Sequence, residues 1–246
     1  MDSGYYAAAA GLAAQTQALE LVAHNLANLS TTGYRGEQAT FRSLLAGDAA
    51  GTVSGNPLNA AVNNYGALSG SRLDLSSGSI APTGNPLDVA VGGSGFFAVQ
   101  SAQGVLYTRD GSFHLTPTGQ LVTSEGHAAL GEQGPITLPN GSVSISSDGT
   151  ISVNGEVVDK LQVAEFPLGT NLTAVGGATY SAPAGSAVAA ANSTVRQGML
   201  ESSNVSPTEG VVALITVQRN TEMLSRALSA LDGQLNQIAV QDLPKV

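Results

Sequence analysis

The sequence predicts a mainly β chain with helical termini: a central antiparallel β domain flanked by N- and C-terminal heptad helices that pair as a coiled coil. One observation points to the ends and one to the middle. Apolar residues recur at alternating spacings of three and four near both termini, the mark of a helical seam. Between them, short apolar runs alternate with Asx-Gly dipeptides and no helical period appears, which is the pattern of hairpin-linked strands. The 246 residues divide on this reading into an N-terminal helix and elbow (1–36), a connector (37–75), a β domain (76–195) and a C-terminal segment with a long helix (196–246).

The first helix is expected from Tyr5 to Leu29. Leu12, Gln15, Leu19, Val22, Leu26 and Leu29 form its a/d seam, with Gln15 the one polar member. At about 1.5 Å per residue it is roughly 37 Å long. It runs into HNLANLSTTGYRG, His24–Gly36, which carries more polar groups than a helix stop requires, since Gly33 alone would supply a C-cap. Asn25 and Asn28 are three apart and share a helix face. Each carboxamide both donates and accepts, so each can satisfy last-turn carbonyls or reach another subunit. Gly33 is free to turn left-handed, and Tyr34 can anchor the departing chain in an apolar groove. The expectation is an elbow that sets the angle between helix and β domain; the alternative is an ordinary helix stop.

In the middle, Asp110-Gly111, Asn140-Gly141, Asp148-Gly149 and Asn154-Gly155 read as hairpin turns. The apolar runs Leu87–Val91, Phe96–Val99, Val143–Ile145, Thr150–Val153 and Leu161–Phe166 read as strands. Residues 46–72 and 168–194, rich in Gly, Ala, Ser, Thr and Asn, read as irregular connectors.

The last helix has a marked start. Ser206-Pro207-Thr208-Glu209 offers a Ser N-cap, Pro at the first helical position and Glu at the third. Its seam is Leu214, Val217, Thr221, Leu224, Leu228, Leu231, Leu235 and Ile238, and Pro244 marks its end. From Pro207 to about Val240 it is roughly 50 Å long. A β domain of some 120 residues has a radius of gyration of about 14 Å, so a helix of that length overhangs it. Gly210 and Gly233 weaken the helix by about 1 kcal/mol each relative to Ala and let another backbone come close. Ala7–Ala10, Gly11, Ala13 and Ala14 likewise allow close approach to the first helix.

Composition narrows the function. A net charge of −9 argues against a nucleic-acid partner. The chain has no cysteine, which excludes disulfides, thiolate metal sites and cysteine nucleophiles. The first 34 residues contain no Lys or Arg, so no cleavable export signal is expected, and no apolar stretch reaches membrane-span length. His24, His114 and His127 stand at no ligand spacing. Gly92-Gly93-Ser94-Gly95 lacks the Lys and helix of a phosphate loop and reads as a hairpin turn. There is no G-x-S-x-G elbow. No catalytic, cofactor-binding or metal-ligating residue is nominated, and no small-molecule substrate is expected.

Four segments, in order along nearly the whole chain, resemble the bacterial flagellar rod and hook proteins. Ala18–Arg35 carries the N-x-A-N…T-x-G-[FY] signature of that family. Pro86–Phe97 is similar to its strand-turn motif. Tyr107–Phe113, with Gly119–Thr123 and Gly126, is similar to its central hairpin. Leu200–Val205 with Gln218-Arg219 matches the approach to its C-terminal helix. The chain departs from the pattern at Gly210-Val211-Val212 and at Asn220-Thr221, which weakens local helix packing. Its length suits a rod member better than the longer hook subunit.

The resemblance implies a structural, non-enzymatic axial subunit for motility. Its expected partners are other rod subunits, itself and the flagellar type III export apparatus, which reads an uncleaved N-terminal region. It would assemble in the periplasm with its terminal helices around the export channel and no cofactor. Leu12, Leu19, Val22, Asn25, Leu26, Asn28, Gly33, Tyr34 and the seam from Leu214 to Ile238 are then the assembly residues, and both termini are expected to be mobile in the monomer. The competing readings are a secreted β-rich cell-wall-glycan enzyme and a coiled-coil filament outside the flagellum.

Overall fold

A computed structural model describes residues 2–42, 67–167 and 169–241. The chain forms two compact units that interleave in sequence: residues 1–26, 37–72 and 207–246 in one, residues 27–36 and 73–206 in the other.

The first unit holds two helices, α1 (Asp2–Ala27) and α2 (Pro207–Gln241), and two paired strands, β1 (Glu37–Arg42) and β2 (Ala67–Leu73). On α1 the most deeply covered row is Gly11, Ala14 and Ala18. Leu12, Gln15, Leu19, Val22 and Leu26 lie one row aside and are half-buried. Small side chains take the centre because they allow the closest approach of another element, and larger ones fill the flanks. On α2, Gly210, Leu214, Val217, Thr221, Leu224 and Leu228 are the half-buried stripe, at the spacing of a heptad. The side chains of Leu231, Leu235 and Ile238 lie outside the described residues. Leu26 of α1 lies against Gly210 of α2. Ala18 and Val22 share a groove with Val217 and Asn220. These two contacts run the helices in opposite directions. Pro207 opens α2 and Glu209 sits in its first turn, where a carboxylate complements the helix dipole.

The second unit is antiparallel β throughout its described pairings. Its strands are β3 (Ile80–Pro82), β4 (Val89–Gly92), β5 (Phe96–Ser101), β6 (Gly104–Thr108), β7 (His114–Leu115), β8 (Leu121–Val122) and β9 (Ala128–Gly131). There follow β10 (Gly134–Pro135), β11 (Val143–Ile145), β12 (Thr150–Val153), β13 (Glu156–Lys160) and β14 (Val163–Glu165). The last are β15 (Thr173–Gly176), β16 (Thr179–Ser181), β17 (Val188–Ala189), β18 (Thr194–Gln197) and β19 (Met199–Glu201). The main sheet runs β15-β16-β6-β5-β9-β8-β7, with β10 on β9, β14 on β5 and β17 on β14. Beside it stand β11-β12-β13 and the pairs β18-β4 and β19-β3.

The core draws on several of these sheets: Val89, Val91, Phe97, Phe113, Leu121, Ile136, Ile151, Val153, Leu161 and Val195 pack together. Burial alternates along β12, with Ile151 and Val153 inside and Thr150 and Ser152 half-covered, as the period of two demands. Strand β5 is buried from Phe96 through Val99 because both of its faces are covered.

Two of the four Asx-Gly dipeptides turn hairpins. Asp148-Gly149 joins β11 to β12, and Asn154-Gly155, with φ of 54° and 90°, joins β12 to β13. Asp110-Gly111 does not, because β6 pairs with β5 and β16 while β7 pairs with β8. Asn140-Gly141 lies between the Thr137–Gln120 bridge and β11, whose partner is β12, so it closes no hairpin. The Gly92–Gly95 turn also differs from expectation: β4 pairs with β18 and β5 with other strands, so the turn passes between sheets. The supposed connector 168–194 carries β15, β16 and β17, short strands that complete a sheet edge rather than stand alone. Of the other connector, residues 46–66 lie outside the described residues.

Candidate functional site

In the helical unit, Asn25 meets the backbone of one residue, Glu37, with both ends of its carboxamide. Its Nδ2 donates to the Glu37 carbonyl at 2.7 Å, and its Oδ1 accepts the Glu37 N–H at 2.9 Å. The side chain thus closes on the start of β1 as a neighbouring strand would. Asn28 acts more locally. Thr31 donates its hydroxyl to Asn28 Oδ1 at 3.0 Å and its N–H to the Asn28 carbonyl at 3.2 Å, which ends the helix in a tight turn.

Within the β unit, residues 27–36 are built into the body. Gly33 has φ of 67° and donates its N–H to the Glu201 carbonyl at 2.8 Å. A Cβ there would lie 2.2 Å from the Arg109 carbonyl carbon, so only glycine fits, on grounds of both conformation and space. Tyr34 is 2% exposed. The Arg35 N–H donates to the Tyr180 hydroxyl at 2.8 Å, and the Gly36 N–H to Asn204 Oδ1 at 2.7 Å. The Asn204 carboxamide also donates to the Asp74 and Ser76 carbonyls. One side chain therefore ties the elbow to the segment entering β3.

Three charged side chains sit at the centre. Arg35 Nη2 donates to Glu201 Oε1 at 2.7 Å, and Arg109 Nη1 donates to Glu201 Oε2 at 3.1 Å. Gly78 N–H donates to Glu201 Oε1 at 2.8 Å. Arg109 also donates to the Val91 and Gly93 carbonyls, and its guanidinium lies 4.8 Å from the centre of the Phe96 ring. All three side chains are buried. Burial pushes the Arg109 guanidinium down to about 10, against the pull of Glu201 and with a further push from Arg35. Two guanidiniums on one carboxylate leave a net buried positive charge. Arg35 Nε and Nη1 and Arg109 Nε have no hydrogen-bond partner. Carbonyl dipoles and the Phe96 face carry part of that charge.

This arrangement holds chain segments; it does not present reactive groups. Glu201 binds Arg35 and Arg109 through its two oxygens and accepts from Gly78, so β19, the elbow and the exit of β6 meet on one carboxylate. Of the expected assembly residues, Gly33 and Tyr34 lie at this lock and Asn28 in the turn just before it. Asn25, Leu26, Leu19, Val22, Leu214 and Val217 belong to the helical unit. Arg35, Arg109, Glu201 and Asn204 fall within the family-like segments, but their sequence context assigns them no role, and nothing in it singles out Tyr180. The available signal was scarcity: only nine Lys and Arg occur in 246 residues, so the Arg inside each of three motif segments, Arg35, Arg109 and Arg219, stands out.

Comparison with known proteins decides the family. Residues 6–35 match the family model for flagella basal body rod proteins, residues 90–153 that for the flagellar hook protein FlgE/F/G D1 domain, and residues 196–241 that for the flagellar basal body rod FlgEFG protein C-terminal region. The flagellar basal-body rod protein FlgF of Salmonella typhimurium is 35% identical, with 97% of this chain and 98% of that protein covered. The chain belongs to the flagellar rod protein family. The rod protein FlgG of Borreliella burgdorferi is 31% identical over 96% of this chain and 97% of its own length. FlgF of Mesorhizobium japonicum is 33% identical over 92% of each chain. As a rod-family member the chain is a structural component and not an enzyme. No helix among the described residues is long and apolar enough to cross a membrane. The lock of Arg35, Arg109 and Glu201 spans all three matched regions of the rod family, one residue from each.

Proposed function

We propose that this chain is the proximal rod protein FlgF, a subunit of the flagellar basal-body rod that leaves the cell without a cleaved signal and assembles in the periplasm through its terminal helices. The observation that carries the reading is the pair of half-covered apolar stripes on α1 and α2. A helix covered on all sides would bury Leu19, Leu214 and Leu224; here each is only partly buried. Covering such area is worth roughly 25 cal/mol per Å², and neighbouring rod subunits are the partners the family name supplies. On this reading α1 and α2 pack as a coiled coil, the helices line the channel, and the type III export apparatus recognises the N-terminal region.

FlgG is the second reading, because FlgG relatives match at similar identity. The opening Met1–Tyr6 and the stretch Leu138–Ser142 with Ser147–Thr150 favour FlgF. Gene replacement separates the two. Deletion should abolish rod and hook while sparing the membrane ring, and on this reading a FlgF gene restores rods and a FlgG gene does not. Restoration by FlgG alone would assign the chain to the distal rod, and intact rods after deletion would end the rod reading.

A further inference from the structure

The helical unit presents two apolar surfaces that do not cover each other. The first is a groove of about 380 Å³ lined by Gln15, Ala18, Leu21 and Val22 of α1, Glu37–Ala39 of β1, and Val217 and Asn220 of α2. The second is the far side of α2. At about 100° per residue, Val212, Ile215, Arg219 and Met223 fall on one face roughly opposite the Val217–Leu224 seam. Val212 is 59% exposed, Ile215 46% and Met223 61%.

We infer that a second copy of this chain seats the outer face of its α2 in this groove, head to tail. This deepens the rod reading and rests on it. The two surfaces correspond in length: Ile215 to Met223 spans about 12 Å of helix, and Gln15 to Val22 about 10 Å. They also correspond in chemistry. The outer face carries three charged residues, Arg219, Glu222 and Arg226. Glu222 and Arg226 pair with each other at 3.6 Å, which leaves Arg219 for the groove, where Glu37 is the one carboxylate residue, with the carboxamides of Gln15 and Asn220 beside it. Arg219 of one copy meets Glu37 of the next while Ile215 and Met223 fill the space over Ala18 and Val22. Because groove and stripe are different surfaces of one chain, the contact is heterologous, and such contacts propagate into rings or open helices instead of stopping at a dimer.

The chain contains no cysteine, so two introduced thiols report the contact alone. Met223→Cys and Gln38→Cys are combined in the full-length chain in its native host and treated with a short bis-maleimide. A ladder of dimer, trimer and higher species is expected, at least tenfold stronger than in either single variant. Dimers from Met223→Cys alone as abundant as those of the double variant would show like-to-like contact and overturn the inference. So would the absence of a ladder in cells that build normal rods. Gene deletion is the separate arm: if it blocks rod formation and no ladder forms, the rod reading stands and this contact falls; if rods persist without the gene, the rod reading itself falls. Arg219→Glu should weaken the ladder, and Arg219→Glu with Glu37→Arg should restore it.

Discussion

Arg35 and Glu201 stand 166 residues apart in sequence and form a fully buried ion pair at 2.7 Å. It joins a residue just past the first helix to the last strand before the second. The β unit is therefore incomplete until both ends of the chain have contributed.

Replacing Glu201 with Ala leaves two buried guanidiniums without their carboxylate. Breaking a buried pair from one side costs about 3–5 kcal/mol, so the melting temperature should fall by about 6–20 °C, at about 2–4 °C per kcal/mol for a domain of this size. Thermal unfolding followed by circular dichroism measures it. A fall of a degree or two would mean that the lock contributes little.

Gly33→Ala places a methyl group against the Arg109 backbone at a φ that alanine resists. Displacing backbone adds to a strain of about 1–3 kcal/mol. The expected result is loss of the elbow from the β body, read as faster hydrogen exchange at Gly33 and Arg35. Unchanged protection would show that residues 27–36 are held by other contacts.

Asn25→Leu removes the side-chain partners of the Glu37 N–H and carbonyl. Leaving those groups without partners costs about 1–3 kcal/mol, and Glu37 N–H exchange should accelerate while the β unit melts as before. Combined with Asn28→Leu, the change should impair incorporation into rods. Normal motility in the double variant would show that the two carboxamides are dispensable for assembly.

Glu165 gives the acid dependence a sign. The Ser193 hydroxyl, followed by the Asn192 N–H, holds its carboxyl below the usual carboxylate range. A depressed folded-state pKa contributes stability above the unfolded value and loses it as pH falls through the folded one. Stability should therefore drop below the ordinary Glu range, and Glu165→Gln should flatten that limb slightly in melts between about pH 6 and about pH 3.

In dilute monomer, residues 5–29 and 207–240 should exchange faster than the β unit, because their stripes are only half-covered. Strong protection of both helices at low concentration would show that α1 and α2 sustain each other without neighbours.

Local pattern sufficed for the ends of this chain. The heptad rows and the Ser-Pro-Thr-Glu start place α2 at Pro207, and α1 ends at Ala27, two residues before the expected Leu29. Helix periodicity survives because it depends on one face being apolar, whatever covers that face. Asn154-Gly155 and Asp148-Gly149 made hairpins because the strands on either side pair with each other. Asp110-Gly111 did not, since the dipeptide fixes only a bend and leaves open which strand the departing chain will pair with.

The sequence by itself determined the two helices, the antiparallel β middle, the absence of cysteine chemistry and the family signature, since each is written in neighbouring residues. Only the tertiary structure decided that residues 27–36 belong with the β body, that Glu201 gathers Arg35 and Arg109, and that 168–194 completes a sheet. Those outcomes depend on contacts between residues far apart along the chain. A buried charge declares its partner only when the fold has brought that partner within hydrogen-bonding distance.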